Sequence, residues 1–76
     1  MDKIYLALLE WKGTDDEYGV DFYACRTEQE AGETVSSLMA DIAKDYNFDI
    51  DPTKDWFVRG DGFWFRGSIR ELTDLP

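Results

Sequence analysis

Hydrophobic and polar residues follow two different periods along the chain, and these periods predict five elements. Residues 3–11 and 19–26 have the apolar content and alternation of strands, and the residues between them favour a loop. Residues 28–46 repeat apolar side chains every three or four positions, which predicts a helix. Residues 55–59 and 63–70 predict a second pair of strands.

Both ends of the predicted helix carry typical residues. Thr27 and Glu30 match a capping box, in which each side chain accepts a hydrogen bond from the backbone N–H of the other residue. Asn47 is a residue at which helices often end, and Pro52 prevents the helix from continuing. The apolar face of the helix holds Ala31, Val35, Leu38, Met39, Ile42 and Tyr46.

The dipeptide Asp61-Gly62 predicts a type I′ turn between the last two strands. A two-residue turn fixes the pairing, because a shift of one residue would move every side chain to the other face of the sheet. The predicted pairs are Gly60 with Phe63, Arg59 with Trp64, Val58 with Phe65, and Phe57 with Arg66.

The order ββαββ predicts one α+β domain over residues 1–76, with a four-stranded antiparallel sheet and one helix packed on one face. The pattern does not determine the strand order. We expect the helix to cover Ile4, Leu6, Leu8, Val20, Phe22, Ala24, Val58, Phe65 and Ile69. The opposite face would then present Tyr5, Ala7, Leu9, Trp11, Tyr23, Cys25, Phe57 and Trp64.

This opposite face is unusually apolar for a surface in contact with water. Contiguous apolar patches often mark interfaces, and Tyr and Trp are frequent hot-spot residues. The aromatic candidates for partner binding are therefore Tyr5, Trp11, Tyr23, Phe57 and Trp64. Two alternatives stay open: residues 71–76 or a long loop cover the face, or Arg59 and Arg66 stack on Trp64 and Phe57.

The charge of the chain indicates the kind of partner. The sequence has 17 acidic and 8 basic residues, a net charge of −9, and no histidine. Such a surface repels nucleic acid and anionic membranes and favours a basic protein. Asp41 and Asp45 lie about 5–6 Å apart on a helix, near the charge spacing of a nucleic-acid backbone, so mimicry competes with simple solubility as an explanation. The acidic candidates are Asp15, Asp16, Glu17, Asp41, Asp45, Asp49 and Asp51.

Residues for catalysis or metal binding are missing from the pattern. Without histidine there is no typical general base, and Cys25 has no histidine to activate it. Residues 47–51 begin like a calcium loop, but Pro52 replaces the required Gly and Val58 the required Glu. We also expect so short a chain to leave little room for a cavity of a few hundred Å³. The sequence thus predicts no enzyme, no cofactor and no metal.

The sequence also favours a cytoplasmic location. A single cysteine cannot form an intramolecular disulfide. The first apolar run, residues 4–9, is too short for a signal peptide or a membrane span. We expect a cytoplasmic protein that contacts neither membrane nor nucleic acid directly.

Four short segments along the chain form a pattern found in other small proteins. They are Lys3-Ile-Tyr-Leu-Ala-Leu, Gly13-Thr-Asp, Thr27-Glu28-x-x-Ala31 and Ile69-Arg-Glu-Leu. Together they resemble small acidic orphan proteins of bacteriophages and mobile elements, some of which are anti-CRISPR or other counter-defence inhibitors. The resemblance implies a non-enzymatic inhibitor that acts in the host cytoplasm, and it assigns no functional residue.

The expected function is binding and inhibition of a nucleic-acid-handling protein complex. The carboxylates would occupy a basic groove, and the aromatic face would supply buried contact area. The alternative is a homodimeric accessory or structural module in which the aromatic sheet face is the self-association interface.

Overall fold

The element order and the sheet agree with the predicted fold class. A computed structural model describes residues 3–73. The chain forms β1 (Lys3–Lys12), β2 (Tyr18–Cys25), α1 (Glu28–Tyr46), β3 (Phe57–Arg59) and β4 (Trp64–Thr73). Neighbouring strands are antiparallel, in the order β2-β1-β4-β3. The α+β class with a four-stranded antiparallel sheet and one helix is confirmed.

The helix begins and ends where the sequence predicts. The Thr27 hydroxyl accepts a hydrogen bond of 3.0 Å from the backbone N–H of Glu30, which satisfies one of the unpaired donors of the first turn. At the other end, Asn47 adopts the left-handed conformation with φ of 59°. The N–H of Phe48 then donates to the Ala43 carbonyl over 2.9 Å and closes the helix.

The second hairpin has the predicted register but not the predicted turn. Phe57, Val58 and Arg59 lie opposite Arg66, Phe65 and Trp64. Of the two turn residues only Gly62 has a positive φ, of 83°. A type I′ turn needs a positive φ at both central residues, so that assignment of the turn was wrong.

The core lies between α1 and one side of the sheet. A glycine in β4 lets the two layers approach closely: a Cβ at Gly67 would lie 2.5 Å from Val35 Cγ1. Met39 and Val35 are the largest fully buried side chains. The buried hydrophobic set is Ala7, Leu9, Cys25, Ala31, Val35, Met39, Ile42 and Val58.

The predicted faces of the first hairpin were wrong. The helix packs on the side of the sheet that holds Tyr5, Ala7, Leu9, Trp11, Tyr23 and Cys25. The other side holds Ile4, Leu6, Leu8, Val20, Phe22 and Ala24. In the second hairpin the faces are as predicted, with Val58, Phe65 and Ile69 towards the helix.

The physical reason for the inversion is the pairing between the two hairpins. Apolar residues occupy both sides of β1, so alternation alone does not select the buried side. The register with β4 selects it, because Leu9 lies opposite Gly67 and Trp11 opposite Phe65. Since opposite residues of an antiparallel pair share a face, Leu9 and Trp11 must lie on the helix side with Phe65.

Candidate interaction surfaces

The side of the sheet away from the helix, called here the open face, is rich in exposed hydrophobic side chains. Tyr18, Phe22 and Phe57 are 71%, 65% and 55% exposed. The face comprises Ile4, Leu6, Leu8, Glu10, Lys12, Tyr18, Val20, Phe22, Ala24, Phe57, Arg59, Trp64, Arg66, Ser68, Arg70 and Leu72. An apolar surface of this kind is typical of an interface.

The open face also carries a charge opposite to that of the chain. Its strand positions hold four basic residues and one acidic residue. The acidic one, Glu10, accepts from Arg66 over 3.0 Å. The Arg66 guanidinium also lies 5.8 Å from the centre of the Trp64 ring, so the predicted stacking is confirmed for Arg66. The predicted stacking of Arg59 stays a prediction.

The aromatic candidates from the sequence divide between the two sides. Phe57 and Trp64 lie on the open face, with ring centres 6.3 Å apart. Tyr5, Trp11 and Tyr23 lie on the helix side, so their placement on the uncovered face was wrong. The exposed rings that the sequence analysis missed there are Tyr18 and Phe22.

The predicted alternative of a covering tail concerns residues 71–76. Residues 71–73 extend β4, and the Cα of Leu72 lies opposite that of Ile4. Leu72 and Ile4 are still 39% and 41% exposed. Residues 74–76 lie outside the described part of the chain.

A second surface, called here the acidic end, forms where β1 ends and β2 and β4 begin. Lys12 lies opposite both Tyr18 and Trp64, which brings the β1–β2 loop beside the β3–β4 turn. The Tyr46 ring of α1 lies 5.6 Å from Phe63, so the helix also ends there. This end gathers the exposed residues Asp15, Asp16, Glu17, Asp45, Asp49 and Asp61.

The two other acidic candidates lie outside this group. Asp41 is exposed on α1, one turn before Asp45. Asp51 accepts hydrogen bonds from the Thr53 hydroxyl over 2.6 Å and from its backbone N–H over 3.0 Å. These two bonds, the hydroxyl first, lower the pKa of the Asp51 carboxyl. Asp51 therefore has a structural role within its own loop.

An aromatic cleft opens on the helix side at the acidic end. Its volume is about 550 Å³, within the range of small-molecule sites. The cleft is open to the surface, so the expectation that so short a chain has little room for a substrate-burying pocket stays a prediction. The lining residues are Leu9, Trp11, Lys12, Gly13, Thr14, Glu17, Asp21, Tyr46, Phe63 and Phe65.

Three further features of residues 3–73 concern metal ligands, membrane spans and the one cysteine. Within that range no three acidic or cysteine side chains are grouped to hold a metal ion. The one helix described there is too polar to cross a membrane. The thiol of Cys25 is buried under α1, with Sγ 3.7 Å from Thr34 Oγ1.

The architecture therefore defines the protein as a small α+β domain whose sheet has one covered and one open face. No protein-family model matches the chain, and no curated protein or solved structure matches it either.

Proposed function

We propose that the chain is a non-enzymatic protein that binds and inhibits a nucleic-acid-handling protein complex. The open face carries the proposal, because exposed rings such as Tyr18 and Phe22 supply the contact area that protein interfaces bury. The resemblance to small acidic counter-defence inhibitors favours the same class of partner.

The acidic end supports a partner with a basic surface. Its carboxylates create a negative potential that steers a cationic groove towards the chain and competes with nucleic acid for that groove. The chain itself is a poor nucleic-acid ligand at long range, because its net charge is −9. A basic groove in a nucleic-acid-binding protein satisfies both conditions.

The test is capture of proteins from a host-cell lysate on the immobilised chain. The captured protein is then purified and its affinity for nucleic acid is measured with and without the chain. We expect capture to weaken in high salt and the chain to displace nucleic acid. A captured protein that keeps its full affinity for nucleic acid would contradict inhibition.

Matched variants separate the acidic end from total charge. The triple variant Asp15→Asn, Asp16→Asn, Glu17→Gln removes three charges at the acidic end. A control triple variant, Glu28→Gln, Glu30→Gln, Glu33→Gln, removes three charges from α1 near its N-terminal end. We expect the first to slow association on the order of tenfold and the control to have a smaller effect. Equal effects would mean that only total charge matters.

A second pair of variants tests the open face. Phe22 and Tyr23 are neighbours on β2 that face opposite sides of the sheet, and both are exposed. Phe22→Ser should weaken binding about thirtyfold, the factor for a hot spot of ~2 kcal/mol, while Tyr23→Ser should not. Binding of a labelled single-stranded oligonucleotide, abolished by Phe22→Ser, would instead assign the face to nucleic acid.

Self-association remains the second candidate, and the edge of the sheet favours it. Strand β2 is an eight-residue edge strand with exposed Val20, Phe22 and Tyr23, and such edges pair readily with another chain. Direct stacking of two open faces is less favourable, because it would bring their basic residues together. Sedimentation at micromolar concentration tests this candidate, which a monomer would eliminate.

A further inference from the structure

The aromatic cleft has the geometry of a binding site that the proposed function does not yet use. It lies between the end of α1, the β1–β2 loop and the helix side of the sheet. The Trp11 ring lies against Gly19 of β2: a Cβ added at Gly19 would lie 2.0 Å from the Cζ2 atom of Trp11. Glycine at this position therefore makes room for the indole, which forms part of the cleft lining.

Three further rings line the cleft and support one another. The ring centre of Tyr46 lies 5.2 Å from that of Phe65 and 5.6 Å from that of Phe63. Phe63 and Phe65 meet edge to face at 6.0 Å, a favoured aromatic geometry. Tyr46 is 54% exposed, so part of this aromatic lining is accessible to a ligand.

The charges of the lining point to a cation. Asp21 and Glu17 both line the cleft. Within residues 3–73, neither carboxylate takes part in an ion pair or a side-chain hydrogen bond. The one basic lining residue, Lys12, has its ammonium 3.1 Å from Asp16. The surrounding acidic end adds further negative potential.

We propose that the aromatic cleft receives an arginine side chain of the partner protein. A guanidinium stacks on aromatic rings and donates paired hydrogen bonds to a carboxylate. Trp11 and Tyr46 supply the rings, and Asp21 supplies the carboxylate. An apolar side chain would gain nothing from the negative potential of Asp21 and Glu17, and a lysine would lose the planar stacking. This inference rests on the proposed function in one respect: both assume that the partner is a basic protein.

The test uses blocked arginine, its α-amino and carboxyl groups capped, as the probe. The labelled protein is titrated with it and followed by two-dimensional NMR, with blocked lysine and blocked norleucine as comparison ligands. We expect the largest shifts at the Trp11 indole N–H and at the backbone amides of Glu17 and Asp21. Asp21→Asn should weaken binding about tenfold, which corresponds to one charge-assisted hydrogen bond.

Control variants keep the test independent of folding and of the proposed function. Trp64→Leu on the open face should leave binding of blocked arginine unchanged, whereas Tyr46→Leu should weaken it about threefold through lost cation–π contact. Asp21 is exposed, so Asp21→Asn keeps the fold and remains informative if Tyr46→Leu does not.

Several results would overturn the arginine site. These are equal affinity for arginine and norleucine, equal affinity for arginine and lysine, or shifts confined to the open face. If a basic partner binds the chain and Asp21→Asn changes nothing, the cleft inference fails while the proposed function stands. If blocked arginine binds the cleft but no basic protein is inhibited, the proposed function fails while the cleft inference stands.

Discussion

Strand β1 places apolar side chains on both sides of the sheet, but only one side is covered by the helix. On the helix side of β1, Ala7 and Leu9 are 0% and 7% exposed. On the open face of the same strand, Ile4 is 41% exposed, and Leu6 and Leu8 are partly exposed. The strand is therefore more hydrophobic than one helix can bury. The surplus lies at the surface, where a partner can use it.

The two sides also differ in charge. The open face holds four basic side chains and one acidic side chain, whereas the remaining residues of 3–73 hold four basic and fourteen acidic ones. The open face therefore carries a formal charge of +3 and the remaining residues of 3–73 carry −10, so the negative charge of the chain is not spread over the whole surface. The chain can present a basic, aromatic surface and an acidic end to different parts of one partner.

The largest expected effect comes from truncating one side chain on each side of the sheet. Met39 of α1 is 0% exposed and Phe22 of the open face is 65% exposed. Met39→Ala should lower the free energy of unfolding by about 2–5 kcal/mol, and Phe22→Ala should change it by less than ~0.5 kcal/mol. Urea unfolding followed by circular dichroism measures both.

A large loss of stability in Phe22→Ala would break the comparison. It would mean that Phe22 is buried in solution, by residues 74–76 or by a second copy of the chain. Repeating the unfolding at several protein concentrations distinguishes the two cases, because only burial by a second copy makes the stability depend on protein concentration.

A smaller effect is expected where the helix and the sheet come closest. Gly67→Ala would place a Cβ 2.5 Å from Val35 Cγ1, so either Val35 or the two layers must shift, at a cost of about 1–3 kcal/mol. Its neighbour Ser68 faces the open side, and Ser68→Ala serves as the matched control with little change expected. If Gly67→Ala proves as stable as the control, Val35 has room to move and the close approach is not required.

Local patterns predicted the elements well because local physics determines them. Thr27 fixes the start of the helix through its side-chain hydroxyl, and Asn47 fixes its end through its left-handed backbone conformation. The register of the second hairpin follows from its short turn. The buried side of the first hairpin depends instead on Leu9 lying opposite Gly67. These residues are far apart in the sequence, and no local pattern fixes their register.

The candidate surfaces were predictable only where a local pattern determines the face of a strand. Phe57 and Trp64 were placed correctly, since the second hairpin determines their face. Tyr5, Trp11 and Tyr23 were misplaced with the rest of the first hairpin. The aromatic cleft was not predictable, because it joins the end of α1, a loop and three strands. The positive φ of 60° at Asp16, which orients part of that loop, also leaves no clear mark in the sequence.

The smallest expected effect separates structural carboxylates from those available to a partner. The Thr53 hydroxyl and backbone N–H lower the pKa of Asp51, so its titration midpoint, followed by carboxyl NMR, should lie below that of an ordinary aspartate. These bonds stabilise the folded loop above the ordinary aspartate pKa, and their contribution is lost as the pH falls through the lowered pKa. Thr53→Val should raise the midpoint, whereas Thr53→Ser keeps a hydroxyl and should not.

A midpoint of Asp51 at or above that of an ordinary aspartate would contradict this role and return the residue to the set available for a partner. The expected result has a consequence for binding. Because Asp51 already accepts two bonds within its loop, Asp51→Asn should change partner affinity less than Asp21→Asn, since Asp21 lines the aromatic cleft. The acidic residues would then divide by what they already bind, and those without an internal donor would contribute most to recognition.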